Sequence, residues 1–444
     1  VPTRLVKVLI LILMMVAFGF VWYGYYAARA QVHYYCRGDW VVILLFGILY
    51  YGFCRSYDAF HISISPISEI IYSQTLALII SDFIMYVVIW LLSLYMPNAV
   101  PLLITFGVQF LISVLWTFLA HQWYFHNFRP GRTAVIYDLR EGMESLVGEY
   151  GMEKKFHIEK VLGVEECLAK LSVLDEMDTV FLSGIHSHER NIILKYCMYQ
   201  DIQVYVIPRI GDVIMGGAKK VHMFHLPMLR IDRYRPIPEY TIAKRAFDIL
   251  FSGIAIVIAS PFMLVTAIAI KSDGGPALYK QKRLTKDGKE FNVLKFRSMR
   301  VDAEKDGVAR LSTGDKDDRI TPVGKVIRKI RFDELPQLFN ILRGDMSIVG
   351  PRPERPEIAR QYEEEMPEFR LRLQAKAGLT GYAQVYGKYN TTPYDKLLMD
   401  LTYIGTPSLW EDFKICLATV KILFMPESTE GVAEGATTAM NGKK

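Results

Sequence analysis

Residues 328–337, Arg328-Lys329-Ile330-Arg331-Phe332-Asp333-Glu334-Leu335-Pro336-Gln337, decide how the rest of the chain is read. Two adjacent carboxylates stand behind three basic residues, and Arg343-Gly344-Asp345 and Gly350-Pro351-Arg352-Pro353 follow closely. A carboxylate pair among fixed cations can hold a divalent metal and attack phosphorus in the same site. The same charges would also suit a solvated helix face with i,i+4 pairs. Pro336 restricts Glu334 and Leu335 where a surface helix would continue, and Pro351 and Pro353 clamp Arg352. Spacing alone leaves a phosphate-handling site and a solvated face evenly matched.

Composition sets the frame. The 444 residues leave room for two or three domains, and 51% of them are hydrophobic. Apolar residues concentrate near the N-terminus, in nearly unbroken runs at 5–21, 40–53, 76–95 and 100–119. All but the second reach the roughly 20 residues needed to cross a bilayer. Tyr34, Tyr35 and Trp40 could extend the second as interfacial anchors. A cleaved signal peptide would explain only the first run, so four transmembrane helices are expected over 1–128, with a buried soluble bundle as the alternative. Arg4 and Lys7 at the start of the first span and Arg129 and Arg132 after the fourth favour cytoplasmic ends, although Arg29 and Arg37 weaken that count.

The five cysteines are odd in number, scattered and without a CxxC, which points to a reducing compartment. All nine histidines lie before residue 226. The C-terminal half therefore has no histidine base, no Ser–His pair and no His/Cys zinc site. A metal there must take oxygen ligands, which favours Mg²⁺ or Mn²⁺. His186-Ser187-His188 and His222-x-x-His225 have no accompanying carboxylate cluster and read as surface or packing residues. No nucleic-acid partner is expected.

Residues 133–137, 179–182 and 203–207 read as short buried strands with amphipathic stretches between them, suggesting an α/β domain over 133–235 with a parallel sheet. Asp138-Leu139-Arg140-Glu141-Gly142 follows the first strand where a dinucleotide binder would carry G-x-G-x-x-G, so the domain reads as structural or regulatory. A fifth apolar run, 249–270, has Ser260-Pro261 at its middle and basic residues at both ends. A re-entrant helix over 245–272, hinged at Ser260 and Pro261, explains both features. A kinked fifth span is the alternative. Beyond it, 273–276 reads as a turn and 291–296 as a strand delivering Lys295 and Arg297. Residues 320–331 read as an amphipathic helix whose cations converge on Asp333, and 410–424 as an interfacial helix.

Phe332-Asp333-Glu334-Leu335-Pro336-Gln337-Leu338-Phe339-Asn340, followed by Arg343-Gly344-Asp345-Met346-Ser347-Ile348-Val349-Gly350-Pro351-Arg352-Pro353, resembles the bacterial sugar transferase family. These are polyprenyl-phosphate hexose-1-phosphate transferases, or monotopic phosphoglycosyl transferases. Lys295-Phe296-Arg297-Ser298-Met299 and Gly378-Leu379-Thr380-Gly381-Tyr382-Ala383-Gln384-Val385 fit the same pattern. The resemblance covers roughly 240–425; the first 235 residues more loosely resemble the large subfamily, with a membrane bundle and a Rossmann-like α/β domain before a mainly helical catalytic domain. Residues 426–444 are expected to be a flexible tail.

The resemblance implies that Asp333 is a nucleophile, Glu334 a Mg²⁺ ligand, and Arg352 a phosphate-binding arginine. It places Lys295 and Arg328 around a diphosphate, with Arg297 and Arg331 as further basic candidates. It aligns Asp412 with a late acidic position, Asp400 being a weaker candidate. It puts Lys388 where many members carry arginine, a change that loses a bidentate donor. It also implies the re-entrant form of 245–272. The expected reaction moves hexose-1-phosphate from a UDP-sugar to undecaprenyl phosphate through a phosphosugar-aspartyl intermediate, with UDP-glucose or UDP-galactose favoured. It would be the first membrane step of exopolysaccharide, capsule or O-antigen synthesis, at the cytoplasmic face of the bacterial inner membrane. A homodimer and downstream glycosyltransferases are the other expected partners. An N-acetylated UDP-sugar, or a non-catalytic scaffold for polysaccharide assembly, are the alternatives.

Overall fold

The computed structural model describes residues 2–29, 38–93, 95–140, 142–272, 274–301, 303, 317, 319–387 and 391–423. Lys388 and the expected tail therefore lie outside the described residues. The chain forms two compact units, residues 1–207 and 208–444.

The first unit begins with four long helices, α1 (Pro2–Val21), α2 (Gly38–Ser56), α3 (Ile67–Ser93) and α4 (Val100–Asn127), all apolar and long enough to cross a membrane. α3 and α4 are longer than their apolar runs, because Ile67–Gln74 and His121–Asn127 add amphipathic turns. Their faces divide by environment. Ile10, Met14 and Phe18 of α1 are buried while Leu5, Leu9, Ile12 and Phe20 are exposed, and Phe18 stacks on Phe46 of α2. Some buried polar side chains are paired, as Ser113 of α4 donates to Gln74 of α3 and Gln74 to the carbonyl of Ala59, whereas Asp82 and Gln109 have no hydrogen-bond partner among the described residues. Large apolar side chains on the outer face with the polar side chains turned inward is the arrangement hydrocarbon surroundings favour.

After the helices come β1 (Gly131–Tyr137), α5 (Met143–Glu149), β2 (Phe156–Gly163), α6 (Val164–Ala169), β3 (Thr179–Ser183), α7 (Ser187–Tyr199) and β4 (Gln203–Val206). The strands form one parallel sheet in the order β2-β1-β3-β4. β3 is buried along its length, so it reads as an unbroken apolar run and not as an alternation. The unit ends at Ile207, earlier than the expected boundary at Arg235. Beyond β4 the chain leaves the sheet: α8 (Ile210–Gly216) sends Ile210 and Val213 into a hydrophobic cluster of the second unit, and β5 (Lys219–Met223) and β6 (Leu226–Arg230) form a separate antiparallel hairpin.

The second unit is built along α9 (Pro238–Lys271). This helix runs unbroken through Pro261, which has no N–H to give the carbonyl of Val257; Ser260 Oγ donates to that carbonyl at 2.8 Å instead. One face of α9 packs on the unit through Ala255, Ile256, Met263, Ala267 and Ile270, while Leu250, Val257, Ile258, Val265 and Ile268 remain exposed. Around it lie β7 (Leu278–Leu284), β8 (Glu290–Phe296), α10 (Pro322–Lys329), α11 (Gln337–Arg343), β9 (Ser347–Val349), α12 (Pro356–Glu365), β10 (Gly378–Thr380), α13 (Tyr382–Tyr386), α14 (Pro393–Gly405) and α15 (Leu409–Leu423).

β9 and β10 pair in parallel with glycine at the crossing. A Cβ on Gly378 would fall 2.2 Å from Gly350 N and 2.4 Å from Thr380 O, both backbone atoms that cannot swing away. Gly378→Ala is therefore expected to lower stability by about 1–3 kcal/mol. Gly211→Ala in α8, where nothing lies within 4 Å of the added carbon, should be neutral or mildly stabilising. Thermal unfolding of the two purified variants in detergent checks the pair.

Candidate active site

Three elements deliver the charged cluster. β8 pairs with β7 on one edge only, and its other edge is closed by a side chain: Asn340 of α11 accepts from Leu294 N at 2.9 Å and donates to Asn292 O at 2.9 Å. That amide mimics a strand partner and fixes α11 against β8. Val293, Leu338, Ile341 and Met346 fill the space beneath. Lys295 on β8 is thereby held beside the turn that precedes α11.

That turn is made by Arg331. α10 ends at Lys329, and Arg331 adopts φ +54°, a left-handed conformation costly for a non-glycine residue, roughly 1–3 kcal/mol. The chain reverses there and enters a short 3₁₀ turn, Phe332–Glu334. The break expected from Pro336 thus comes earlier. Leu335 lies in a turn with right-handed helical backbone angles, and Pro336 is the residue that caps α11, where its missing N–H leaves no helical bond unmade. The expected helix over 320–331 shrinks to α10 for the same reason.

Glu334 is the centre of the cluster. Its Oε1 accepts from Lys295 Nζ at 2.8 Å and lies 3.3 Å from an Arg352 guanidinium nitrogen. Burial alone would raise the Glu334 carboxyl, but Lys295, Arg352 and Arg331 reverse this and hold it well below the usual carboxylate range. Asp333 responds in the opposite sense. Burial first, and then the charge of Glu334, raise it, with Lys295, Arg328 and Arg352 opposing. The Asp333 carboxylate accepts no hydrogen bond among the described residues. That leaves a carboxylate without a hydrogen-bond partner among the described residues, in the field of Lys295, Arg328 and Arg352.

The structure therefore brings together Asp333, Glu334, Lys295, Arg328, Arg331 and Arg352. Three other candidates are engaged elsewhere. Arg297 is buried and donates to the carbonyls of Ile270 and Pro276, closing the end of α9 where four carbonyls lack helical partners. Asp412 is buried and accepts from Tyr240, Lys244 and Tyr403, tying α15 to the start of α9. Asp400 is buried in an ion pair with Arg372. Sequence reasoning also missed Asn340 as the strand-edge clamp, although a polar residue on the apolar side of Leu338-Phe339-Asn340-Ile341-Leu342 was a usable signal.

Among the described residues no group of three potential ligands comes together. The adjacent Asp333 and Glu334 carboxylates still suit a hard cation that completes its sphere with substrate phosphate oxygens and water, as Mg²⁺ commonly does. Chemically the site can neutralise a diphosphate and present an anionic oxygen to it.

A model of the bacterial sugar transferase family matches residues 239–426. An N-acetylgalactosaminephosphotransferase of Aeromonas hydrophila, named for UDP-N-acetylgalactosamine and undecaprenyl phosphate, is 40% identical over 52% of this chain and 54% of its own. A UDP-glucose:undecaprenyl-phosphate glucose-1-phosphate transferase of Caulobacter vibrioides is 40% identical over 44% of this chain and 74% of its own. An undecaprenyl-phosphate galactose phosphotransferase of Salmonella typhimurium is 38% identical over 50% of this chain and 49% of its own. The matches span about half the length of most of these relatives. With the family's motifs assembled around Asp333 and Glu334 and a relative matched over most of its length, the chain belongs to the bacterial sugar transferase family.

Proposed function

We propose that this protein transfers a hexose-1-phosphate from a UDP-sugar to undecaprenyl phosphate, releasing UMP. The observation that carries this reading is the convergence of Lys295 and Arg352 on Glu334 beside an uncommitted Asp333. An Asp333 oxygen attacks the phosphorus that bears the sugar, the bond to the bridging oxygen breaks, and UMP departs with the electron pair. A phosphate oxygen of the lipid then attacks the same phosphorus and Asp333 leaves as carboxylate. One phosphoanhydride replaces another, so no further energy source is needed. Lys295 and Arg352 lie where charge builds on the diphosphate, and Arg328 offsets the second carboxylate. Bound Mg²⁺ or Mn²⁺, held by Glu334 with Asp333 adjacent, would neutralise the diphosphate. The relatives are named for UDP-N-acetylgalactosamine, UDP-glucose and galactose, and of these we favour UDP-glucose or UDP-galactose for this chain, with an N-acetylated UDP-sugar as the alternative. The product would pass to the glycosyltransferases that extend a lipid-linked saccharide.

Purified protein in lipid should release UMP from a UDP-sugar with undecaprenyl phosphate present, lose that activity in EDTA, and fall to background as Asp333→Asn. Absence of UMP release across a panel of UDP-glucose, UDP-galactose and their N-acetylated forms would favour a scaffold. Full turnover after metal stripping would remove the metal from the account.

The acid limb of activity reports Asp333. Its carboxylate must be ionised to attack, and burial with the Glu334 charge raises it, so activity should be lost on acidification above the ordinary aspartate value of about 4. Arg328→Gln removes a cation that opposes the rise and should move the limb to higher pH. A limb that stays fixed in this variant would place the titration on another group.

We further propose that α9 re-enters the cytoplasmic leaflet of the bacterial inner membrane and does not cross it. At about 1.5 Å per residue its 34 residues span about 50 Å, yet the same unit grips its beginning, middle and end. Arg245 donates to the carbonyls of Ile341 and Leu342, and Arg297 to that of Ile270. A crossing helix would have to drag this polar domain through the bilayer. Cysteines introduced at Glu239 and Lys280 should both resist an impermeant thiol reagent added to intact cells from outside; labelling at one position alone would show a crossing.

A further inference from the structure

The loop that presents Arg352 is held from behind. Gly350-Pro351-Arg352-Pro353-Glu354 contains two prolines and so has few N–H groups of its own to order it. Its carbonyls are gripped instead: Pro351 O accepts from Gly378 N at 2.9 Å, Arg352 O from Arg372 at 2.9 Å, Pro353 O from Arg283 at 3.0 Å, and Glu354 O from Leu284 N at 3.0 Å. Arg372 lies in a 3₁₀ segment, Pro367–Gln374, far along the chain from the loop it holds. Its guanidinium is fixed on the remaining sides, with Asp400 Oδ2 at 2.6 Å, Glu354 at 3.6 Å and the Phe369 ring centroid at 4.9 Å. The Arg372 and Asp400 side chains are 3% and 1% exposed, whereas that of Arg352 is 45% exposed. A half-exposed arginine side chain is thus mounted on a backbone carbonyl that a buried ion pair holds.

We propose that Arg372, oriented by Asp400 and Glu354, is a positioning residue for Arg352: it pins the Arg352 carbonyl so that the guanidinium stays over Glu334 and the incoming phosphate. Its planar fork suits this role: Nε donates to Asp400 at 2.8 Å, Nη1 faces Glu354, and Nη2, also close to Asp400, donates to the Arg352 carbonyl, whereas a lysine has a single nitrogen and cannot hold all three in fixed geometry. Buried arginine–aspartate pairs are often no more than structural, which makes the functional readout decisive. The inference rests on the reading of Arg352 as a phosphate-binding residue.

A double-mutant cycle on the full chain in lipid separates the cases, with kcat/KM for UMP release as the readout and thermal unfolding as the folding control. Arg352→Ala alone should lower kcat/KM by about 100-fold, as loss of one preorganised charge-stabilising donor does. Arg372→Lys alone should lower it by about 10-fold or more, since misplacement by about an ångström is costly. In the Arg352→Ala background, Arg372→Lys should change it by no more than about 2-fold, because there is no longer a guanidinium to position. The same 10-fold loss in both backgrounds would overturn the positioning role and leave Arg372 a structural residue. An Arg352→Ala protein with the wild-type rate would defeat the reading of Arg352 itself, and the clamp with it. If Arg372→Lys does not fold, Asp400→Asn, which keeps an acceptor oxygen for Arg372, goes through the same cycle with the same expected outcome.

Discussion

One carboxylate shared by two cations organises this molecule. Glu334 is drawn to Lys295 from a strand and to Arg352 from a proline-bounded loop, and neither cation is close to it in sequence. The pairing needs β8, the Arg331 turn and the Gly350–Glu354 loop to meet within about a hydrogen-bond length of one another. Each is secured by its own device: the Asn340 amide on the strand edge, a left-handed Arg331, and the glycine crossing beneath β9 and β10. The consequence for chemistry is a division of labour between neighbours. Glu334 is kept ionised by its cations, while burial first and then the Glu334 charge raise Asp333, which accepts no hydrogen bond among the described residues and is the proposed nucleophile.

The same unit is stitched to an apolar helix by polar contacts. Asp248 accepts from Ser347 and from Ile348 N, Arg245 caps the last carbonyls of α11, and Arg297 caps those of α9. These groups are buried where the helix meets the domain, so breaking one leaves an unpaired charge or carbonyl, which costs more than the bond itself is worth. Between residues 249 and 268 the exposed side of α9 is apolar apart from Ser260. A helix that is polar where it is gripped and apolar where it is not would let the charged cluster sit close to a lipid surface, as the proposed transfer from a soluble nucleotide sugar to a lipid phosphate requires.

The sequence made much of this legible, and the misses have physical causes. Apolar runs located the N-terminal helices because hydrophobicity is local, but their ends were set too short because amphipathic turns carry no run. Strands β1, β3 and β4 stood out as buried apolar segments. The α/β boundary was placed too late because nothing local in 208–235 tells which core Ile210 and Val213 will join. At the site, Asp333, Glu334 and Arg352 were visible because proline and charge cluster there. Arg297 and Asp412 were equally charged and equally near recognisable motifs, yet they serve carbonyl capping and a tyrosine–lysine network. Charge identifies a candidate, whereas burial and partner decide its task, and both depend on contacts distant in sequence. Arg372 is the converse: an ordinary-looking arginine whose importance appears only once its partners are in place.

The central claim is that Asp333 becomes covalently loaded with the sugar phosphate. Incubating the protein with UDP-sugar and no lipid acceptor, then analysing peptides by mass spectrometry, tests it directly. The account predicts that the peptide containing Asp333 gains the mass of a hexose phosphate, with no more than one UMP released per site, and that undecaprenyl phosphate discharges it. An unmodified Asp333 peptide, together with UMP that appears only when both substrates are present, would contradict it and establish direct transfer between substrates.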